Sequence, residues 1–441
     1  MFEWRQCTIG RLFDEGAIVV HKDGNHGANY PRVEDFGSEG LPFLTAKSLS
    51  DWRIDFRNAP RLSETKARTF KFGFVQAGDV LLSHNATVGR VAIVPEIDKI
   101  AVIGTSLTQF RVDPERLLPS FLAIYFSSRD FQDQLSFVMA QTTRNQVPIT
   151  EQRRLPIRLP PLSIQKAISE VIFGLIDKID INRRMNATLE AMARALFKDW
   201  FVDFGPTRAK MEGRAPYLAP EIWSLFPDRL DEEGKPEGWA SQPLSAFIEL
   251  VGGGTPKTDR PEFWGGDIPW FSVVDAPTSS DVFVTKTEKN ITQEGLASCS
   301  ARLLPKGATI ITARGTVGKL AVAGRPMTAN QSCYGVLGQG SIPPQFVYFL
   351  LRDAILRLQA NTHGSVFDTI TRATFNSVSA VRPGSAVMIS FGEVVTPLMD
   401  RILANVEESR TLAATRDLLL PKLMSGELRV QTAERAVEAV A

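Results

Sequence analysis

The chain has 441 residues, of which 44% are hydrophobic and 22% are charged. This composition is typical of a soluble globular protein of about three times the usual domain size of ~150 residues. Fifty basic and forty-nine acidic residues give a net charge of +1, which excludes a polybasic protein whose binding follows from bulk charge. The three cysteines and four histidines show no zinc-site spacing, so we expect neither a metal nor a disulfide framework. No segment resembles a signal peptide or membrane span, which predicts a cytoplasmic protein with no membrane partner.

The sequence contains an internal repeat with a long period. Residues 78–94 resemble residues 307–323 at a shift of 229 positions, with Arg90 opposite Lys319. Upstream of each, residues 41–44 resemble residues 268–271. The identical pairs in the main repeat are Gly78/Gly307, Thr87/Thr316, Val88/Val317, Gly89/Gly318 and Ala92/Ala321.

A second repeat follows at nearly the same shift. Residues 170–197 and 393–420 are identical at ten of twenty-eight positions, at a shift of 223. Chance similarity between apolar segments does not explain two repeats that keep their order and almost the same shift. The chain is therefore interpreted as two tandem copies of a globular half followed by a helical half.

The helical halves carry apolar residues at helical spacing. Residues 163–201 contain no proline and predict a long amphipathic helix. At 1.5 Å per residue, ~38 residues give a rod of roughly 55 Å. Pro397 in the second copy predicts that its helix bends or begins there. The two heptad columns are Ile168, Leu175, Asn182, Leu189, Leu196 and Phe391, Leu398, Asn405, Leu412, Leu419.

Both columns place an asparagine near the middle of the helix. A polar residue in an apolar seam costs stability and fixes register. If the helices pair antiparallel, Asn182 and Asn405 would meet near the centre of the pair. The alternative is two exposed asparagines on separately packed surface helices.

Short β-branched and aromatic runs separated by glycine-bearing turns predict strands in each globular half. Two longer segments, 121–137 and 346–359, are predicted to be helical. Each half is therefore expected to be a mixed α/β or α+β domain. The predicted strands are residues 17–20, 80–82, 91–94, 309–311 and 320–322.

The repeated turn, at 84–90 and 313–319, displays polar residues at a loop tip. Asparagine can read adenine and arginine can read guanine in the major groove. Arg90 or Lys319 could hold a phosphate. The simpler alternative is a glycine-bearing hairpin with no role in binding.

Basic residues are concentrated in two stretches of this nearly neutral chain. Residues 295–352 contain six basic residues and no acidic residue, and residues 53–71 contain six basic residues interrupted by Asp55 and Glu64. These are candidate phosphate-binding surfaces, although solvated basic faces remain the alternative. The basic residues are Arg302, Lys306, Arg314, Lys319, Arg325 and Arg352, and Arg53, Arg57, Arg61, Lys66, Arg68 and Lys71. No nucleophile–histidine pair and no repeated carboxylate pair is found, so a binding function is favoured over a catalytic one.

Several motifs, in this order, resemble the specificity subunits of type I restriction-modification enzymes. The first is Leu-Pro-Pro-Leu at 159–162 with Gln165, leading to a helix that ends in the sequence of residues 189–204. The second copy has Val-Arg-Pro-Gly at 381–384 in place of Leu-Pro-Pro-Leu. The other matching segments are 225–228, 236–239, 253–256, 266–270 and 420–427.

The resemblance implies two α+β target-recognition domains joined by two long helices that form an antiparallel coiled coil. It implies a non-catalytic chain that recognises a bipartite, asymmetric site in double-stranded DNA. The implied partners are two modification subunits, which use S-adenosylmethionine to methylate adenine, and restriction subunits, which use ATP and Mg. No cofactor is expected on this chain itself. A rod of roughly 55 Å is long enough to separate two DNA readers by more than one turn of ~34 Å.

The resemblance also suggests positions for DNA contact in loops of both copies. In the first copy these are Asn25, His26, Lys47, Asn85, Thr87 and Arg90, and in the second they are Thr255, Lys257, Arg314, Thr316, Lys319 and His363.

The predicted organisation places recognition domains at 1–157 and 239–383, helices at 158–204 and 384–430, a linker at 205–238 and a poorly ordered tail at 431–441. Two other functions remain open. One is a coiled-coil interaction scaffold with two heads that bind ligands other than DNA. The other is a chain with its own nuclease site.

Overall fold

A computed structural model describes residues 4–25, 27, 30–50, 52–98, 100–141, 145–277, 281–361 and 369–438. The chain forms two compact units, one from Met1–Lys178 with Thr411–Ala441 and one from Ile179–Arg410. Each unit holds one globular half and a portion of both long helices. The limits of the recognition domains drawn from the sequence stay predictions.

The first globular half combines short strands with short helices, as expected of a mixed domain. Its strands are β1 (Arg5–Thr8), β2 (Ile18–Asp23), β3 (Phe36–Gly37), β4 (Leu41–Leu44), β5 (Leu49–Ser50), β6 (Arg53–Ile54), β7 (Arg61–Leu62), β8 (Phe74–Val75), β9 (Val80–Ser83), β10 (Val91–Ile93), β11 (Ala101–Ile103), β12 (Leu107–Val112) and β13 (Pro156–Leu159). Its helices are α1 (Ile9–Asp14), α2 (Glu64–Ala67), α3 (Pro119–Ser127), α4 (Arg129–Ala140) and α5 (Ile149–Gln152).

Two sheets form the centre of this half. One has the strand order β10-β9-β12-β2 and the other β3-β7-β4-β11-β8. Strand β9 is buried along its whole length, which explains why residues 80–82 are a continuous apolar run rather than an alternating one. The segment predicted to be one helix at 121–137 is two helices, because the Ser128 side chain accepts the N–H of Phe131 and caps the second.

The second half repeats this architecture with fewer strands. Its strands are β14 (Ala240–Pro243), β15 (Ile248–Gly252), β16 (Trp264–Phe271), β17 (Phe283–Val284), β18 (Lys289–Ile291), β19 (Thr309–Thr312), β20 (Leu320–Ala323), β21 (Thr328–Ala329), β22 (Cys333–Gly338) and β23 (Ser379–Arg382). Its main sheet has the order β15-β22-β19-β20-β17. The hairpin β19–β20 lies beside β22 as β9–β10 lies beside β12, so the sequence repeat corresponds to a structural repeat.

Two long helices complete the chain, and their extents agree with the periodicity. They are α6 (Leu162–Phe201) and α12 (Ser385–Ser425). The first residues of the two helices are related by the same shift of 223 as the sequence repeat. The different sequence before α12 therefore does not move its start. The other helices of the chain are α7 (Gly205–Met211), α8 (Pro220–Trp223), α9 (Gln293–Ala297), α10 (Pro344–Asn361), α11 (Arg372–Ser377) and α13 (Val430–Glu438).

The prediction that the helix begins at Pro397 is wrong, because α12 starts at Ser385 and continues through this residue, and a bend there stays a prediction. Proline removes one helical hydrogen bond. On the same helix Phe391, Val395 and Met399 are buried at 0–3% exposure. Burial of this apolar stripe offsets the local cost, since tertiary packing overrides propensity.

An aromatic cluster explains the aromatic-rich end of α6. The rings of Phe197 and Phe201 lie 5.7 and 5.2 Å from that of Phe391 on α12, and Phe201 lies 6.3 Å from Trp239. Trp200 is 1% exposed in the same cluster. The motif at this helix end is therefore a packing motif.

The linker contains two short helices, and the described part of the tail is more ordered than expected. The linker at 205–238 contains α7 and α8, and its Tyr217 hydroxyl donates to Asp199 at 2.8 Å. The predicted poorly ordered tail forms α13, in which Ala433 is fully buried. The amphipathic pattern of the tail predicts a helix, whereas its composition suggested poor order.

Candidate nucleic-acid interface

The repeated hairpins are built on the same hydrogen-bonded frame. The Ser83 hydroxyl accepts the N–H of Arg90 at 2.8 Å, and the Thr312 hydroxyl accepts the N–H of Lys319 at 3.0 Å. Gly89 and Gly318 have φ of +93° and +83°, a conformation that glycine adopts without strain. A hydroxyl and a glycine at fixed positions therefore hold each loop tip in place.

Each tip is also held from its flanks by equivalent backbone contacts. His84 donates its N–H to Ser106 O at 3.0 Å, and Ala313 donates to Ser332 O at 2.8 Å. On the other side, Asn85 pairs with Gln146 and Arg314 pairs with Thr369. The tips are thus rigid supports for the side chains they display.

In the first half, the structure brings several predicted residues together. Thr87 and Arg90 are exposed at the tip, and Asn85 is half-buried. The Arg90 guanidinium donates to the carbonyls of Ala46 and Leu49, both at 3.1 Å. These carbonyls flank the exposed Lys47, so the hairpin and this turn form one surface.

Asn25, another predicted contact in the first half, does not lie on this surface. Asn25 is 2% exposed and donates its side-chain amide to Phe72 O at 2.8 Å. This position supports a neighbouring loop and disfavours contact with a base. His26 lies outside the described residues.

A buried polar network lies beneath the first hairpin, and sequence reasoning missed it. His21 Nε2 lies 3.1 Å from Gln152 Oε1, and the Gln152 amide donates to Thr108 Oγ1 and Val147 O, both at 2.9 Å. Thr108 in turn donates to Asp23 at 2.8 Å. Burial lowers the pKa of His21 from its ordinary value of 6.5 to about 4, so the ring is neutral at neutral pH. Its signal in the sequence was His21, which directly follows the predicted strand at 17–20.

In the second half, Thr255 and Arg314 belong to one continuous region. The Thr255 hydroxyl donates to the side chain of Gln331, and the next residue, Ser332, accepts the N–H of Ala313. Arg314 and Thr316 are exposed, and Lys319 is half-buried. Lys257 is exposed and its carbonyl accepts the indole N–H of Trp264 at 3.1 Å. His363 lies outside the described residues.

The two basic stretches differ in what they offer to a phosphate. In the second half, Arg302, Lys306 and Arg325 are exposed. Arg352 does not fit the predicted phosphate-binding surface, because it forms an ion pair with Glu190 on α6. In the first stretch, several cations already have acidic partners: Arg53 with Asp177 at 2.5 Å, Lys66 with Asp35 at 3.5 Å and Arg68 with Glu64 at 3.6 Å.

The seam asparagines are both buried, at 1% for Asn182 and 0% for Asn405. Asn182 donates to Glu408 at 2.8 Å and to Ser409 at 3.3 Å. Asn405 donates to Asn186 at 2.8 Å. The helices are antiparallel, as predicted, and each asparagine finds a partner one turn away from the other instead of meeting it. The exposed-asparagine alternative is therefore wrong, and their role in fixing register stays a prediction.

Two further properties concern the described residues only. None of their helices combines the length and apolar character needed to cross a membrane. Within the same part of the chain, no three histidine, cysteine or acidic side chains are grouped as a metal site would require.

The comparisons with known proteins agree with this architecture. A family model described as the type I restriction modification DNA specificity domain matches residues 12–191 and 236–379. The chain is 25% identical over 402 residues to the type I restriction enzyme HindI specificity subunit of Haemophilus influenzae, covering 80% of this chain and 87% of the relative. It is 31% identical over 153 residues to the EcoR124I/EcoR124II specificity subunit of Escherichia coli, covering 33% of this chain and 36% of that one.

The fold is shared with a solved structure. The crystal structure of the type I restriction-modification system S subunit from M. genitalium matches with a TM-score of 0.53 at 14% identity, over 95% of this chain and 96% of that one. Two tandem mixed domains and a packed pair of long helices define the architecture of this chain. The chain belongs to the family of type I restriction-modification DNA specificity domains.

Proposed function

We propose that this chain is the DNA-specificity subunit of a type I restriction-modification enzyme. It recognises a bipartite, asymmetric site in double-stranded DNA, and it positions other subunits that carry out the chemistry. The proposal rests on the family membership and on the two related but different loop tips.

The single observation that carries the proposal is one hairpin frame with two sets of displayed side chains. The frame hydrogen bonds are equivalent in the two halves. The sequence of the loop tip is Asn-Ala-Thr-Val at 85–88 in the first half and Arg-Gly-Thr-Val at 314–317 in the second. Asparagine pairs best with adenine and arginine with guanine. A shared frame with different readers is what recognition of two unlike half-sites requires.

Binding would combine three contributions. Exposed cations such as Arg302, Lys306 and Arg325 would hold phosphates and position the domain. The loop tips would read base edges in a groove. The antiparallel helix pair would set the distance between the two half-sites.

The partners follow from the relatives, whose names describe specificity subunits of type I restriction enzymes. We propose that the long helices bind two modification subunits, which use S-adenosylmethionine to methylate adenine. Restriction subunits, with ATP and Mg, would join the same complex. The chain itself would contribute recognition and no catalytic group.

The decisive experiment is to map methylated adenines in DNA from cells that express this chain with its modification partner. We expect methylation at one bipartite motif with unlike halves and a fixed spacer. This methylation should disappear when either protein is omitted. Methylation without a common motif would contradict the proposal.

A salt titration of DNA binding tests the scaffold alternative, and a cleavage assay tests the nuclease alternative. Binding through several phosphates weakens steeply as salt rises. A scaffold with heads for other ligands would show no DNA binding to titrate. A chain with its own nuclease site would cleave DNA alone in the presence of a divalent metal.

A further inference from the structure

The first unit contains a polar pocket of about 380 Å³ between its globular half and the end of α12. Gly89 and Arg90 line it from the repeated hairpin, and Arg416 and Asp417 line it from the helix. Trp52 and Ser127 form part of its wall. Two arginines from elements far apart in sequence thus face the same pocket.

Trp52 supports one of these arginines. The guanidinium of Arg416 lies over the indole ring, 5.3 Å from its centroid, a distance at which cation–π attraction operates. The indole N–H donates to the Ser127 hydroxyl, which holds the ring in place. The Arg416 side chain is only 20% exposed, so stacking and partial burial restrict its orientation.

The backbone at Trp52 is strained. Its φ is +62°, a left-handed conformation that is costly for a bulky residue. Strain of this kind persists where the surrounding structure imposes it, and it is concentrated at functional sites. Here it accompanies the placement of an indole beneath an arginine.

The second half shows that the fold does not require these residues. By backbone pairing, Trp52 corresponds to Val282, because Ile93 donates its N–H to Trp52 O and Val322 donates to Val282 O. By the helix repeat, Arg416 corresponds to Ala193. Val282 and Ala193 are 3% and 0% exposed in an apolar cluster. Where the second unit has two core residues, the first unit therefore has an aromatic platform and a cation.

The charges at the pocket favour an anion. Arg90 and Arg416 face it, and Lys47 is exposed on the turn that Arg90 binds. The carboxylate of Asp417 also lines it and accepts from Arg416 Nε and Nη2 at 2.8 and 2.7 Å through the same oxygen. Arginine has five donors, so this contact fixes one edge of the guanidinium and leaves the Nη1 donors for a ligand.

We propose that this pocket binds a backbone phosphate of the DNA, held jointly by Arg90 and Arg416 with Trp52 as the platform for Arg416. This inference rests on the proposed function. The pocket adjoins the hairpin that would read the first half-site, so a duplex at that hairpin would bring its backbone to the pocket. The contact would make the carboxyl-terminal helix part of the DNA interface of the amino-terminal recognition domain.

The test measures the salt dependence of DNA binding by the full chain with its modification partner, using a duplex with the mapped site and a scrambled duplex. Loss of one phosphate contact reduces the slope of log affinity against log salt by about 0.9. We expect Arg416→Gln to reduce the slope by this amount on both duplexes and to weaken binding about fivefold at moderate salt. Arg416→Lys, which keeps the charge, should retain the slope.

The matched control is Arg429→Gln, which removes one exposed charge downstream of α12 and should leave the slope at the wild-type value. An unchanged slope for Arg416→Gln would overturn the pocket proposal. This holds even if the variant binds its modification partner less well. Equal binding of both duplexes by the wild type contradicts the proposed function alone, because the slope on either duplex still tests the pocket. Absence of DNA binding by the wild type overturns both.

Discussion

The side-chain amide of Asn405 donates to the side-chain oxygen of Asn186 across the helix pair at 2.8 Å, with the two residues 0% and 2% exposed. One turn away, Asn182 donates to Glu408. These contacts place a polar layer inside an apolar seam. A slip of one helix along the other would leave buried amides without partners, which is costly.

Replacing one member of the layer should therefore destabilise the protein more than replacing both. Asn405→Leu leaves the Asn186 amide buried beside a leucine, and we expect a loss of about 1–3 kcal/mol. The double variant Asn186→Leu/Asn405→Leu should recover most of this loss, since two apolar groups pack without an unmet hydrogen bond. Thermal unfolding of the single and double variants measures the difference. Single variants as stable as the wild type would contradict the role of the layer.

The Arg352–Glu190 pair should contribute to stability and not to DNA binding. Glu190 is 8% exposed and also lies in the seam region of α6. Arg352→Met should lower the unfolding temperature, because it leaves a largely buried carboxylate without its cation. The salt slope of DNA binding should not change. A reduced slope for Arg352→Met, compared with Arg302→Gln as the exposed reference, would show that Arg352 contacts phosphate after all.

The buried histidine network predicts a loss of stability in mild acid. Burial lowers the pKa of His21 to about 4, below the unfolded value of roughly 6.5, so the unfolded chain binds more protons between these values. The stabilising contribution is fully present above pH ~6.5 and is lost as pH falls to ~4, amounting to about 3 kcal/mol. Unfolding temperature measured against pH should fall less steeply in this window for His21→Gln. Parallel profiles for the variant and the wild type would rule out His21 as the group responsible.

Arg314 should determine base preference in one half-site only. It is exposed at the second loop tip and its backbone pairs with Thr369. We expect Arg314→Ala to relax one position of the motif, with a loss of discrimination of about 1–3 kcal/mol, and to leave the other half-site unchanged. Methylation mapping reads both halves at once. Arg302→Ala is the control, and it should weaken binding to all sequences alike.

The helix pair should act as the spacer between half-sites. Seven residues inserted after Thr188 in α6 and seven after Leu403 in α12 keep the heptad pattern and lengthen both helices by ~10 Å. The mapped motif should then gain about three base pairs of spacer, with both half-sites preserved. The same insertion in α6 alone is the control, and it should impair assembly by breaking the pairing. Unchanged spacing with altered bases would refute the spacer role.

The repeats and periodicity predicted the architecture well because they depend on burial. The extent of α6 and the buried or half-buried columns through Ile168 and Phe391 follow from helical spacing. Pro397 misled the prediction of where α12 begins, since packing along the whole helix face outweighs the local cost of one proline. The break at Ser128 was also missed, because the serine cap matters only once the chain turns there.

The candidate interface was harder to predict because polar residues in loops serve two purposes. Arg302 and Arg352 both lie in the basic stretch 295–352, yet Arg302 is exposed and Arg352 pairs with a glutamate 162 positions away. Asn25 resembles a base reader in sequence but holds a backbone carbonyl. These roles depend on contacts between residues far apart in the chain, and a single sequence does not show which residues contact each other.

The division of the chain into units has a consequence for synthesis. The second unit is one uninterrupted stretch, Ile179–Arg410, whereas the first needs both Met1–Lys178 and Thr411–Ala441. Leu412, Leu419 and Leu423, all buried, follow the whole second unit in the chain. The first unit can therefore be completed only after the second unit has been synthesised. A truncation before Thr411 would remove buried side chains from the first unit, although it lies far from the first globular half in sequence.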